Sequence, residues 1–476
     1  MVLFQKSGGN DMVIFKLVKT AKGFYLYDRN RNKLARISKE EYEELEEVEK
    51  GERTIEDTES INKFREKGFL LDNVVEVIEH PELECLKHHV THRMQQVILQ
   101  VTQNCNLRCK YCVYSGGYDN RGHSNKRMSW EIAKRAIDLL MQNSDEMEQV
   151  TIGFYGGEPL LEMPLIKKCI SYINETYYGK KVSYSITTNG TLLTNEIMEF
   201  LKKEPVSIII SLDGSREEHN ANRVFVNGEG SYDTIMENIK RIKEKNPEFI
   251  ENIHFNTVIN QNNNYENIRE YFSTDEIMCN SDVSLNIVEL LNSKDEIVFS
   301  EEFYIGRRYD YFRYLLTLIG KISDPQVVRF WGGNTIDLER MYASMRNTNS
   351  LGKKCHHNGP CIAGARRLFV TVDGDFYPCE KVPENVQDVC LGTLDKGIDF
   401  EQVRKVMNLG EITHEQCKEC WALTQCSVCA AMIAKDGKIS AENKLQLCPQ
   451  QRDYALENLK LICMLSEFGY KFGGKR

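Results

Sequence analysis

The stretch VILQVTQNCNLRCKYC, residues 97–112, sets the reading of the chain. Its first six residues make an apolar, β-branched run of strand length, and the loop that follows carries Cys105, Cys109 and Cys112. Working outward, further strand-like runs appear at VTIGFY (150–155), VSYSITT (182–188), VSIIISLD (206–213), IHFNTVI (253–259) and VSLNIVEL (283–290). Helical patterns such as SWEIAKRAIDLLMQN separate them. Six β-to-α steps predict an α/β fold with a mainly parallel sheet, open or curled into a partial barrel. In such folds the chemistry sits on loops after the C-terminal ends of the strands, which is where the three cysteines fall.

Composition narrows the function. The chain has 476 residues, and its 61 Lys+Arg against 70 Asp+Glu leave a net charge of −9. At roughly 100–200 residues per domain, that length predicts several domains. The acidic balance lacks the basic footprint of phosphate-backbone binding, so nucleic acid is not expected as a partner. Met1 to Lys19 holds no apolar stretch of signal-peptide length, and no run spans a membrane, so a cytoplasmic protein is expected, with no membrane partner. In that reducing setting the 16 cysteines point to metal rather than disulfides. Eleven fall into three groups: Cys105, Cys109 and Cys112; Cys355, Cys361 and Cys379; and Cys417, Cys420, Cys426, Cys429 and Cys448. Cys85, Cys169, Cys279, Cys390 and Cys463 are scattered, as small buried hydrophobes would be.

Three thiolates on one short loop can hold three irons of a [4Fe-4S] cube and leave the fourth open. A structural zinc site would want a fourth ligand, and none lies near this loop in sequence. Cys105-x3-Cys109-x2-Cys112, with Tyr111 before the last cysteine, resembles the signature of the radical S-adenosylmethionine (SAM) superfamily. The resemblance implies that the open iron chelates SAM and that one electron cleaves it to methionine and a 5′-deoxyadenosyl radical. It also extends to later loops. Gly156-Gly157-Glu158-Pro159 follows the second strand, with two glycines for close backbone approach and Glu158 as acceptor for the SAM ammonium. Asn189, after the third strand, is expected at the methionine end, Ser211 and Asp213 at the ribose hydroxyls, and Arg223 at the SAM carboxylate.

The C-terminal spacing, Cys361-x12-Gly374-x4-Cys379 followed by Cys417-x2-Cys420-x5-Cys426-x2-Cys429 and Cys448, resembles the SPASM extension of radical SAM enzymes. That extension holds two auxiliary [4Fe-4S] clusters, making three clusters in all. The family usually has three residues where this chain has two between Cys426 and Cys429. By resemblance, Cys361, Cys379 and Cys429 serve the first auxiliary cluster with Cys355 as fourth ligand, and Cys417, Cys420, Cys426 and Cys448 the second. A zinc ribbon is the competing reading of 417–429, and its loop would be unusually short.

The opening segment reads as three short strands, then a helix capped by Ser38 with Glu41 three residues on, then a second helix ending at Gly68. This small α+β, winged-helix-like pattern resembles the peptide-recognition module of maturases of ribosomally made peptides, where a leader peptide adds as a strand to the sheet edge. The expected division is therefore a recognition-like module (1–80), linker (81–93), radical SAM core (94–300), helical bridge (301–354), SPASM domain (355–450), and C-terminal helix and tail (451–476). The whole resemblance implies a radical SAM maturase acting on a precursor peptide, with Cys thioether formation as its product and a flavodoxin or ferredoxin-like protein as electron donor. Its open-iron cluster implies a low-oxygen cytoplasm. A sulfatase-maturing type, oxidising Cys or Ser to formylglycine, and a zinc-bearing adaptor without catalysis are the alternatives. No general base can be named from sequence.

Overall fold

The computed structural model describes residues 13–118, 121–288, 293–294, 296–347 and 350–473. Glu289 and Leu290, assigned to a strand from sequence, and Met12, at the start of the first apolar run MVIFKLVK (12–19), lie outside the described residues. Strands β1 (Phe15–Lys19), β2 (Phe24–Asp28) and β3 (Lys33–Ile37) form an antiparallel sheet in that order. The helix Lys39–Lys50 follows, with Ser38 and Glu41 closing the expected capping box and Gly51 ending it at φ 78°. The helix Glu59–Glu66 completes the module. Alternation gives the sheet two buried faces: Phe15, Leu17 and Leu26 pack on the module's own Leu45, Ile61 and Phe64. Val18 and Tyr27 pack outward on Leu338 and Met345 and on Leu459 and Ile462 of the long helix Ala441–Glu467. Thr20 Oγ1 and Tyr25 OH both donate to Glu467 Oε1 on that helix, at 2.6 and 2.7 Å.

A short strand β4 (Val77–Ile78) leads to residues 81–93, where the sequence predicts a linker. The structure has a 3-10 turn at Pro81–Leu83 and a helix at Leu86–His92, with Leu86 and Val90 buried in the main core. The charged composition of this stretch conceals an apolar pair at i, i+4, enough to seat one helical face.

The core strands are β5 (Gln96–Thr102), β6 (Gln149–Gly156), β7 (Lys181–Thr188), β8 (Val206–Ser211), β9 (Ile253–Ile259) and β10 (Asp282–Ile287). They run parallel and in sequential order, the (β/α)6 arrangement of the partial barrel. Ile208 and Ile210 are buried, whereas Ser207, Ile209 and Ser211 between them are half-buried, and β7 and β9 show the same alternation. The second row, small and largely polar, lines the inside of the curled sheet. The C-terminal region then extends this sheet. After β11 (Lys354–Cys355), which pairs with β4, strand β12 (Leu368–Val370) lies parallel to β5 and β13 (Phe376–Tyr377) antiparallel to β12. The bridge consists of two helices, Glu301–Leu318 and Pro325–Asn347.

Candidate functional site

The loop Cys105–Cys112 leaves β5 and is clasped from both sides by backbone. On one side Gly157 N donates to Thr102 O and Glu158 N to Asn104 O, each at 2.9 Å. A Cβ at Gly156 would stand 2.0 Å from Thr102 O and one at Gly157 2.2 Å from Asn104 O, so only glycine permits this docking. The close approach that the sequence predicted is thus made to the cysteine loop itself. On the other side Arg108 N donates to Val224 O at 2.7 Å and Lys110 N to Asn222 O at 3.1 Å, a support with no sequence motif. Arg108 Nη1 closes the turn on Cys105 O and Leu107 O.

Several residues expected to touch SAM also bond to neighbouring protein groups. Glu158 is fully buried; Oε1 accepts from Leu160 N and Thr188 Oγ1, and Oε2 from Asn189 N at 2.7 Å. Burial pushes its carboxyl up to about 7, against the pull of those hydrogen bonds. Asn189 Nδ2 donates to Asn106 Oδ1 at 2.8 Å and lies 3.8 Å from Cys105 Sγ, while its Oδ1 accepts from Thr191. Asp213 has no exposed surface: Oδ2 accepts from Tyr111 OH and from Arg223 Nε at 2.8 Å, and Oδ1 from Val258 N. Through these bonds Asn189 and Asp213 brace the cysteine loop, and Glu158 ties the loop after β6 to that after β7. The motifs fall on the expected loops, but each polar group is satisfied by its neighbour. Ser211 stays half-buried on the inner row.

Arg223 sits over the Tyr111 ring at 5.3 Å. Burial opposes its charge, but Asp213, Tyr111 and Cys109 hold it well above the usual guanidinium range. Its Nη1 and Nη2 have no hydrogen-bond partner among the described residues. Burial pushes the Cys105 and Cys109 thiols up to about 12, and Arg223 counters this at Cys109. His219, buried and brought down to about 4 by burial, is a neutral support whose Nδ1 accepts from Asp213 N. Sequence reasoning also missed a buried ion pair, Arg121 Nε to Glu384 Oε1 at 2.8 Å, joined by Gln100 Nε2 at 2.8 Å. It ties β5 to the segment after Cys379.

Seven further cysteines act on one another in two sets, Cys361, Cys379 and Cys429, and Cys417, Cys420, Cys426 and Cys448. Cys379 is pushed up to about 11, by burial first, then by Glu380 and the neighbouring Cys361 and Cys429. Cys426 also rises to about 11, through burial and then, opposed by Lys444, through Cys420 and Cys417; Cys448 and Cys417 act on Cys420. Cys355 packs with Val75, Ile78, Cys417 and Leu423, and its charged neighbour is Arg29. Among the scattered cysteines, Cys169 and Cys463 are buried, whereas Cys85 is exposed.

Two buried cations accompany these thiols. Lys444, 1% exposed, donates to Leu409 O, Thr413 Oγ1 and Cys417 Sγ, the last at 3.4 Å. Its position one helical turn before Cys448 was a usable signal. Arg29 has none. Buried cations without carboxylate partners call for a buried anion, and the soft all-thiol donor sets fit iron–sulfur clusters. Among the described residues no three His, Cys, Asp or Glu side chains are placed to hold a single metal ion.

Residues 99–273 match the family model of the radical SAM superfamily. The chain is 27% identical over 300 residues to a cysteine-type anaerobic sulfatase-maturating enzyme of Clostridium novyi, covering 60% of this chain and 73% of that one. It is 29% identical over 229 residues to the radical SAM cyclopropyl synthase TigE of Paramaledivibacter caminithermalis, covering 45% and 46%. It spans about half the length of some curated relatives, 51% for an uncharacterised protein of Methanocaldococcus jannaschii. The solved structure of native anSMEcpe with bound AdoMet superposes with a TM-score of 0.57 at 18% identity, over 78% of this chain and 99% of that one. The fold is the radical SAM α/β fold.

Proposed function

We propose that this radical SAM enzyme matures a ribosomally made precursor peptide, joining a peptide carbon to a cysteine sulfur. The observation that carries this reading is the N-terminal module. Its strand β3 pairs with β2 alone among the described residues, and Arg36 on it is exposed, so an edge is free to take up an extended leader peptide. The 99% coverage of the anSMEcpe chain by 78% of this one is compatible with an added element of this kind.

In this reading Cys105, Cys109 and Cys112 hold the SAM-binding cluster. Cys361, Cys379 and Cys429, with Cys355, hold one auxiliary cluster, and Cys417, Cys420, Cys426 and Cys448 the other. When bound, the clusters and SAM supply a hydrogen-abstracting radical and an acceptor for the surplus electron, while the substrate thiol yields its proton to water. Asp213 fixes Arg223 through Nε, leaving Nη1 and Nη2 for the SAM carboxylate. Glu158 and Asn189 keep the cysteine loop in register with the strands behind it. The half-buried rows of β7, β8 and β9 give the peptide a polar floor. A flavodoxin or ferredoxin-like protein in a low-oxygen cytoplasm is the fitting donor. Among the described residues no helix is long and apolar enough to cross a membrane.

The test is anaerobic turnover of a cysteine-containing precursor peptide with SAM and reductant, read by mass spectrometry. Loss of two hydrogens per crosslink, abolished when the leader is removed, is expected. The similarity to sulfatase-maturating enzymes favours a second reading: an aldehyde formed from Cys or Ser with no leader dependence would establish it instead. A colourless zinc protein without acid-labile sulfide would remove both.

A further inference from the structure

We infer that Arg29 of the N-terminal module donates hydrogen bonds to the auxiliary iron–sulfur site beside Cys355, so that the seating of the module sets that site's reduction potential. The inference rests on the cluster reading of the cysteines above.

Arg29 is fully buried, and only part of its fork is used. Nη2 donates to Asn73 Oδ1 at 2.5 Å and to Lys418 O at 3.3 Å, but Nε and Nη1 are buried without a partner. Such orphaned donors are rare in folded proteins, and a guanidinium shut away without an anion is costlier still. The carboxylate next to it, Asp28, is turned elsewhere, accepting from Arg31 N at 3.0 Å and Leu70 N at 2.6 Å. Burial opposes the charge of Arg29, and the charges that favour it are those of Cys355, Tyr27, Cys420 and Asp28. Around them lie Val75, Ile78 and Leu423, which keep water out.

The guanidinium is also held in place. Tyr27 OH meets Thr424 Oγ1 at 2.8 Å, Gln425 Nε2 donates to Asn32 Oδ1 at 2.9 Å, and Asn73 Nδ2 donates to Lys418 O at 3.2 Å. Residues on both sides of Arg29 are thus bonded to the segment 418–425, which runs between Cys417 and Cys426. Lys444 does for Cys417 what Arg29 is placed to do for Cys355, one cation coming from each end of the sequence. Hydrogen bonds to cluster sulfur and a nearby positive charge favour the reduced state, because reduction adds negative charge.

The experiment uses the full chain with Cys105, Cys109 and Cys112 changed to Ala, which leaves only the auxiliary clusters. Iron and acid-labile sulfide are measured, and potentials are taken by redox titration followed by electron paramagnetic resonance. R29M is expected to shift one auxiliary potential to more negative values and leave the other unchanged, with a smaller shift for R29K, which keeps the charge but loses the fork. R29M is also expected to raise the melting temperature of the apo protein, by removing an unpaired buried charge, and to lower that of the cluster-loaded protein. Should R29M fail to hold its cluster, R29K carries the measurement. Unchanged potentials at full iron content, or a melting shift of one sign in both forms, overturn the inference. A parent protein lacking acid-labile sulfide refutes the cluster reading itself, and the inference with it.

Discussion

The barrel's cysteine loop and the C-terminal cysteine groups solve one problem, holding thiols in a buried site, by opposite means. The loop of Cys105–Cys112 is supported from within its own fold, each brace coming from the loop after a successive strand: Gly157 after β6, Asn189 after β7, Asp213 after β8. Its main cation, Arg223, lies ten residues from its partner Asp213. The C-terminal groups draw on Lys444, 27 residues from Cys417 on the last long helix, and also on Arg29 from the opening module, 389 residues from Lys418. The cysteine loop is braced by loops of one sheet, whereas the C-terminal groups take one of their cations from the opening module.

The largest effect that tests this contrast is expected for G157A, whose added Cβ meets the backbone of Asn104 at 2.2 Å. SAM cleavage should fall by about 100-fold or more, since a shift of roughly 1 Å suffices for that loss. Iron analysis should show about four irons missing per chain, with the auxiliary complement intact; loss of all clusters together would break the contrast. K444M should do the reverse, sparing the first cluster and destabilising the loaded protein by about 3–5 kcal/mol in a denaturant titration.

Glu158 gives an intermediate, pH-dependent effect. The folded carboxyl holds its proton to about pH 7, whereas the unfolded chain releases it near 4.5. Its contribution to the apo protein is intact below about pH 4.5 and declines as pH rises through about 7, by about 3 kcal/mol in all. Stability measured from pH 4 to 8 should show that slope, and E158Q should flatten it. The smallest effect is Y27F, which removes a buried hydroxyl bonded to Asn32 and Thr424. A loss of about 1 kcal/mol in thermal unfolding is expected, with peptide-free SAM cleavage unchanged.

What the sequence made legible follows from period and spacing. The six core strands announce themselves as apolar runs, and the pairing of Cys361 with Cys379 and Cys429 follows from a family resemblance in spacing. The motif loops are legible, but the bonds of Glu158 and Asp213 to neighbouring loops are not, because only the folded sheet brings those loops near. Strands β12 and β13, three and two residues long, carry no periodic signal, and their pairing with β5 joins residues that local pattern cannot connect. The stretch 81–93 conceals its helix behind its charge, although Leu83, Leu86 and Val90 pack on the main core. Arg29 lies in a polar turn, and nothing in that turn marks a residue that ends up fully buried.

The contact of Thr20 and Tyr25 with Glu467 bears on when the molecule is finished. During synthesis the barrel has all its strands, and the loop of Cys105–Cys112 all its braces, once the chain has passed residue 290. The module must wait for the helix Ala441–Glu467, and that helix also carries Cys448. The cysteine loop therefore has its braces before the C-terminal cysteines have theirs. Docking of the module onto Ala441–Glu467 then joins residues 447 and 442 positions apart in the chain.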